Sequence, residues 1–300
     1  MAENKDNIGH ITIYAIVVTY NGVKWVEKCF SSLVKSTVPL KILAIDNAST
    51  DGTPGIIKEK FPQVEVIETG ENLGFGKANN IGLKRVLGEN ANYAFLLNQD
   101  AWVEEDTIEK LVEVHQQHQG YGILSPVEFY RSGVLDIKFK KFYAPNCLLE
   151  SIKYNKTTIC QTDFINAAGW LLPNKTIKIV GGFDEIFIHY GEDVDFCKRT
   201  LSNNFKIGIT SNTRYFHDRP QLLIKDSSPL KQIHHNHIKR ILYLRWGDKH
   251  WIKKTAYIVR EYCFEIISTK TKLRLNVITN LLLFITNYFK IIQAKKQILL

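Results

Sequence analysis

Apolar residues gather along the first third of the chain in four short runs, each stopped by a cluster of polar ones. Ile16-Val17-Val18, in a strand read over 10–19, gives way to Thr19-Tyr20-Asn21-Gly22. Ile42-Leu43-Ala44-Ile45 ends in Asp46-Asn47-Ala48-Ser49-Thr50-Asp51-Gly52-Thr53. Val64-Glu65-Val66-Ile67 is followed by Glu71-Asn72-Leu73-Gly74-Phe75-Gly76-Lys77-Ala78-Asn79-Asn80, and Tyr93-Ala94-Phe95-Leu96-Leu97 by Asn98-Gln99-Asp100. Apolar runs without alternation suit strands covered on both faces, as in a parallel sheet flanked by helices. Between the runs the spacing turns helical. Val26, Phe30, Leu33 and Val34 share one face over 23–34. Thr53-Pro54 opens a second helix, a third ends near Leu87, and a fourth covers 107–118. Strands alternating with helices predict an α/β fold around a mostly parallel sheet. The carboxyl ends of such strands lie on one edge, so the four polar tips converge on one crevice.

The signals beyond residue 119 are more scattered. Gly122 to Pro126 reads as a strand, Lys138 to Lys141 as a solvated basic face, and Phe164 to Leu172 as a strand containing small residues. Gly181-Gly182 reads as a tight turn. Gly191-Glu192-Asp193 opens a helix that continues through Val194, Phe196, Cys197 and Leu201, and Tyr215-Phe216-His217-Asp218 ends the core. The resulting division is a domain over 1–224, with halves at about 11–118 and 119–224, and a helical extension over 225–300.

Composition adds a polarity to this plan. Three hundred residues with 45% apolar content can bury one large core with an appendage. The net charge of +9 sits at one end: residues 225–300 hold 15 Lys and Arg against 4 Asp and Glu, leaving the remainder near neutral. A basic tail suits an anionic partner, either nucleic acid or a membrane surface. No helix-turn-helix or RNA-binding motif accompanies it, so a nucleic-acid partner is not expected. Leu275 to Phe289 is uncharged and apolar, but its 15 residues fall short of the ~20 that span a bilayer. Lys270, Lys272, Arg274 and Lys290 flank it, as in a helix lying in the inner membrane interface. Packing on the preceding domain, or on a second copy in a homo-oligomer, accounts for the same apolar residues. Five cysteines without a C-x-x-C pair argue against a disulfide scaffold or structural zinc. With a polar N-terminus that lacks a signal-peptide core, they point to the cytoplasm.

Taken singly, the polar residues have ordinary readings. Asp100 could cap the following helix, and Glu192 and Asp193 could complement a helix dipole. Gly74-x-Gly76 at a helix N-terminus can approach phosphate. A dinucleotide-binding domain, however, wants G-x-G-x-x-G after the first strand, where this chain has Thr-Tyr-Asn-Gly. Taken together and in order, Val17-Val18-Thr19-Tyr20-Asn21, the 46–53 and 71–80 segments and Leu96-Leu97-Asn98-Gln99-Asp100 resemble the inverting family 2 glycosyltransferases with a GT-A fold. Within that family they are most similar to the rhamnosyltransferase-like branch, and the likeness covers roughly 11–220.

The resemblance implies a Rossmann-like sheet and a nucleotide-sugar donor, dTDP- or UDP-linked. It implies donor contacts from Thr19, Asn21, Asp46, Asn47, Asp51, Asn72, Gly74, Asn79, Asn98, Gln99 and Asp100. Asp100 matches the last acid of the family's metal-binding D-x-D, and His217 stands where a histidine ligand to Mn²⁺ or Mg²⁺ is found. Asn98 replaces the first acid of that motif, and no serine follows His217 at Arg219-Pro220-Gln221. Glu192-Asp193 matches an E-D motif in which the aspartate is the general base, with Glu192 orienting the acceptor. Outside the resemblance, Trp170 has two readings of equal weight, stacking on an acceptor sugar or filling the core. The acceptor class is a glycan or lipid-linked hydroxyl in bacterial cell-surface polysaccharide synthesis, and the sugar expected first is rhamnose. Asn98 also leaves room for a GT-A-fold binding protein without transferase activity.

Overall fold

A computed structural model describes residues 11–154, 156–188, 190–221, 228–246, 250–293, 298 and 300. The polar N-terminus and the segment where the tail begins lie outside the described residues. The strands are β1 (Ile13–Thr19), β2 (Lys41–Asp46), β3 (Glu65–Glu68), β4 (Tyr93–Asn98), β5 (Ala101–Val103), β6 (Tyr121–Tyr130), β7 (Ile159–Thr162), β8 (Gly169–Pro173) and β9 (Lys206–His217). Among the described residues they form one nine-stranded sheet, ordered β3-β2-β1-β4-β8-β6-β9-β5, with β7 added beside β9. β3, β2, β1 and β4 run parallel. β8 enters antiparallel between β4 and β6, and β6 pairs parallel with β9.

Helices α1 (Val23–Val34), α2 (Thr53–Lys60), α3 (Gly74–Gly88) and α4 (Thr107–Gln117) fill the crossovers. The period-2 geometry of β1 explains why both faces must be apolar. Ile13, Ala15 and Val17 pack with Val26, Phe30 and Leu33 of α1. Tyr14 and Ile16 face the other way, against Ala78, Leu83 and Val86 of α3. Helix α3 lies so close to the sheet that a Cβ at Gly82 would sit 2.7 Å from Ile16 side-chain atoms.

The second half departs from the sequence expectation in several places. Residues 164–168 are irregular, and the strand expected over 164–172 starts only at Gly169. Lys138–Lys141 belongs to α5 (Ile137–Phe142), whose Phe139 is fully buried, so that stretch is a solvated face only in part. Cys147 of α6 (Asn146–Lys153) pairs with Cys160 of β7 as a disulfide, with Cα atoms 6.1 Å apart. Spacing alone gave no sign of it. Helix α7 (Asn174–Val180) leads into the Gly181-Gly182 turn, and α8 (Glu192–Ser202) follows.

The extension consists of α9 (Pro229–Trp246), α10 (Trp251–Ser268), α11 (Thr271–Thr286) and α12 (Tyr288–Gln293). They enclose a core of their own, including Ile241, Leu244, Ile258, Tyr262, Val277, Phe284 and Ile291, and Phe187 from the turn before α8 enters it. Outside that core, Phe264, Ile267, Leu275 and Phe289 are each more than two-thirds exposed. No helix among the described residues is long and apolar enough to cross a membrane.

One buried carboxylate fastens the extension to the sheet-bearing part of the chain. Asp195 of α8 accepts hydrogen bonds from Arg199 Nε at 2.8 Å, Arg245 Nη1 at 2.8 Å and Trp246 Nε1 at 2.9 Å. Arg245, equally buried, also reaches Asp184 at 2.6 Å and the carbonyl of Ile291. Removing one partner of such a pair leaves an uncompensated buried charge, which costs more than the pair contributes. Arg245→Met should therefore lower stability by about 3 kcal/mol. Removal of the exposed Arg260 should stay within about 0.5 kcal/mol. Urea unfolding midpoints measure both, and equal midpoints would show that Asp195 is not the fastening point.

Candidate functional site

The parallel strands deliver their tips to one edge, and local hydrogen bonds shape them there. Thr19 Oγ1 donates to Asp46 Oδ1 at 2.8 Å, and Ser49 binds both oxygens of the same carboxylate through its backbone N–H and hydroxyl. Asn21, at φ 47°, accepts from Thr50 N, while Asp51 accepts from the backbone of Val23 and Thr53. Asn47 bridges to the third tip by donating to Gly74 O and accepting from Leu73 N. Asn72 accepts from Gly74 N at 2.9 Å. Gly74 is required here: its φ is +78° and a Cβ would meet Ile188 O at 2.6 Å. Gln99 holds both the N–H and the carbonyl of Tyr20.

This wiring corrects part of the residue assignment. Thr19, Asp46 and Asn47 are at most 3% exposed and bonded to neighbours, so they shape the crevice without lining it. Asn79 is also buried, and its amide donates to Phe75 O within α3. Asn21, Asp51 and Asn72 remain on the exposed rim, and Asn98, Gln99 and Asp100 are half-exposed. Trp170 cannot meet a sugar. It is 0% exposed, stacked on Phe183 with centroids 6.1 Å apart and flanked by Phe196.

Asp100 and His217 meet at the junction of β4, β5 and β9. The β5–β9 pairing sets Ala101 opposite His217 and brings His217 Nε2 to 3.1 Å from Asp100 Oδ1. On its other side His217 Nδ1 lies 2.8 Å from Glu128 Oε1. Burial works against a charged imidazole, but the hydrogen bonds to Asp100 and Glu128 outweigh it and raise its pKa to about 9. Asn98 Oδ1, two residues before Asp100, is buried with no hydrogen-bond partner. One carboxylate oxygen, one imidazole nitrogen and an orphaned amide oxygen fit part of a divalent-cation shell. No group of three or more His, Cys, Asp or Glu forms a closed cage among the described residues.

Glu192 and Asp193 open α8 after Gly191, whose φ of +94° turns the chain. Burial raises Asp193 to about 6, against the hydrogen bond from Val194 N. Burial and then the neighbouring Asp193 charge raise Glu192 to about 7, and its Oε2 has no hydrogen-bond partner. Near neutral pH the pair thus offers a largely ionised Asp193 beside a Glu192 that is about half protonated.

A cavity of about 1140 Å³ joins these groups. Asn98, Asn166, Glu192, Asp193, His217 and Arg219 form one wall. Residues of α9 and α11 form the other, among them His234, His235, Asn276 and Asn280. The sequence reading missed Glu128, Asn166, Arg219 and the α11 wall. It also missed Asn80, whose amide makes two hydrogen bonds to the backbone of Phe183 and so ties α3 to the turn after Gly182. A signal existed for Glu128: a single charge inside the buried run of β6 needs internal partners.

The family model for glycosyl transferase family 2 matches residues 14–176. N-acetylglucosaminyl-diphospho-decaprenol L-rhamnosyltransferase of Mycobacterium tuberculosis is 24% identical over 262 residues, covering 78% of this chain and 84% of that protein. The dTDP-rhamnosyl transferase RfbF of Shigella flexneri is 27% identical over 220 residues, 68% of each chain. Among solved structures, Staphylococcus aureus TarS 1–349 in complex with UDP-GlcNAc matches with a TM-score of 0.59 at 18% identity, covering 95% of this chain and 82% of that one. Mannosyltransferase PcManGT from Pyrobaculum calidifontis, in complex with GDP-Man and Mn²⁺, matches at 0.58 and 17%, covering 93% and 81%. At these identities the structural likeness speaks to the fold.

Proposed function

The chain belongs to glycosyl transferase family 2, and on that premise we propose that it transfers rhamnose from a dTDP- or UDP-linked donor to a hydroxyl of a glycan or lipid-linked acceptor. It is a nucleotide-sugar glycosyltransferase. The rhamnose assignment follows the relatives named above, and the setting that suits it is bacterial cell-surface polysaccharide synthesis. Residues 11–118 would hold the donor, 119–224 the acceptor, and 225–300 the far wall of the acceptor cavity.

The observation that carries this reading is the cavity itself. Asp193 and His217 line it together, and Asn98 Oδ1, Asn166 Oδ1 and Glu192 Oε2 are buried there without partners. Buried oxygens lacking donors need an explanation, and a ligand rich in hydroxyl groups supplies the missing hydrogens. Asp193 takes the proton of the acceptor hydroxyl. That oxygen attacks the anomeric carbon while the bond to the diphosphate breaks on the opposite face, so the configuration inverts. Glu192, in its protonated form, donates to the acceptor and orients it. Asn21, Asp51 and Asn72 on the rim meet the nucleoside, with Gly74 beside the diphosphate. Mn²⁺ or Mg²⁺, held by Asp100 and His217, would place positive charge against the departing diphosphate.

Helix α11 links this site to the membrane proposal. Asn276, Thr279 and Asn280 line the cavity, while Leu275, Ile278 and Leu282 of the same helix are exposed. With Lys270, Lys272 and Arg274 nearby, that outer face fits an anionic inner-leaflet surface, where a lipid-linked acceptor could enter.

Calorimetry with UDP and dTDP tests the donor site. Metal-dependent binding of one nucleotide is expected, lost in Asp100→Ala. Asp193→Asn should keep that binding while transfer falls about 10²- to 10⁴-fold. A folded protein that binds neither nucleotide would leave the inactive-homologue reading in its place. Because Asp193 must be ionised and Glu192 must keep its proton, kcat/KM should rise with pH through about 6 and fall again above about 7. A profile flat from pH 5 to 8 would remove Asp193 from that role. Flotation with phosphatidylserine-containing vesicles should recover the protein at low salt, and Leu282→Glu should reduce the recovery. Equal flotation of both proteins would place the membrane contact elsewhere.

A further inference from the structure

The geometry points to Glu128 as a positioning residue that fixes the ring and tautomer of His217 for metal binding. This rests on the metal role proposed for Asp100 and His217. Glu128 is 0% exposed near the C-terminal end of β6, and its carboxylate is surrounded by donors. Oε1 receives His217 Nδ1 at 2.8 Å and Arg219 Nη2 at 2.7 Å. Oε2 receives the Tyr215 hydroxyl at 2.8 Å, with Asn166 Nδ2 further off at 3.5 Å. Arg219 is itself held by Asp136, which also accepts from Gln221. A carboxylate enclosed by donors can only accept, so the proton of a neutral His217 has to sit on Nδ1.

That choice decides what the other nitrogen can do. When a cation replaces the proton that Nε2 otherwise shares with Asp100 Oδ1 at 3.1 Å, the Nε2 lone pair is directed at the corner where Asn98 Oδ1 is also unpartnered. An imidazole binds a metal only through an unprotonated nitrogen, and a carboxylate on its second nitrogen holds the ring and strengthens the ligand. The strand register enforces the arrangement. Residues 127–130 of β6 pair parallel with 214–217 of β9, setting Glu128 opposite Tyr215 and Tyr130 opposite His217. Glu128 thus reaches two alternate residues of the neighbouring strand, Tyr215 and His217, on one face.

The test reads Mn²⁺ affinity by electron paramagnetic resonance in the presence of saturating UDP or dTDP, without any turnover. Glu128→Met should weaken Mn²⁺ about 10- to 100-fold, and Glu128→Gln, which can still accept from Nδ1, should recover part of the loss. Tyr215→Phe, which spares the contact between Glu128 and Nδ1, should weaken Mn²⁺ less than Glu128→Met does. A folded Glu128→Met protein that binds Mn²⁺ as tightly as the wild type would overturn the proposal. Should Glu128→Met not fold, ¹⁵N NMR of His217 in the wild type with Mg²⁺ and nucleotide decides. A proton on Nδ1 supports the assignment, and a proton on Nε2 overturns it. If the wild type binds no Mn²⁺ with either nucleotide, the metal role of Asp100 and His217 fails, and this inference with it.

Discussion

The placement of Asp195 is the constraint on which the two halves of the cavity depend. Desolvating a carboxylate costs several kcal/mol unless donors surround it, and Asp195 is fully buried. Its partners come from α8 itself and from the end of α9, and Arg199 continues to the carbonyls of Val180 and Gly182. The same helix begins with Glu192 and Asp193. The carboxylate that locates the extension therefore lies two residues from the proposed base. A shift of α9 relative to α8 would strand a buried charge, so the α9–α11 wall keeps its distance from Asp193. The cation–carboxylate cluster acts here as a register device, which is the best-supported use of buried charge.

Acidic side chains around the crevice differ by environment, and the differences sort their chemistry. On the nucleotide side, the slight burial of Asp51 is outweighed by hydrogen bonds from Thr53 and Val23, which hold its carboxyl below its ordinary range. It stays ionised and rigid. On the acceptor side, burial pushes Asp193 and Glu192 up, toward the pH at which a carboxyl can exchange a proton. The first environment suits binding and the second proton transfer. Both come from backbone placement: Asp51 sits in a loop whose amides point at it, whereas Asp193 sits under the roof formed by α9 and α11.

Much of this was legible in the sequence because it is written in local pattern. The runs ending at Thr19, Asp46, Glu68 and Asn98 have strand length, the helices between them have helical spacing, and parallel strands must place their tips together. What the pattern could not convey was which tip residues face inward. Thr19 and Asp46 are 27 positions apart and satisfy each other, a pairing that follows from the β1–β2 register alone. Trp170 looked available because small residues precede it, but Phe183 and Phe196 come from later elements and close over it. Glu128 and His217 are 89 positions apart and meet only because β6 and β9 pair in parallel. The 275–289 run was read only for its apolar residues. Its apolar count hid Asn276 and Asn280, one helical turn apart, which share the cavity side of α11.

The substitution of Asn98 for an acid has a consequence for how donor and metal bind. On the proposed reading the protein supplies two ligands, Asp100 and His217, with one formal negative charge between them. A hard divalent cation prefers six oxygen-rich positions, so the donor diphosphate must complete both the shell and the charge balance. Two ligands that each complete the other's site bind with positive coupling, and the coupling is reciprocal. Metal alone and nucleotide alone should thus be weak, while the pair is tight. An acid at position 98 would weaken that dependence by holding the cation in advance. On that reading Asn98 leaves the corner to assemble only when a donor arrives, which would tie the charge needed for departure of the diphosphate to the presence of the diphosphate itself.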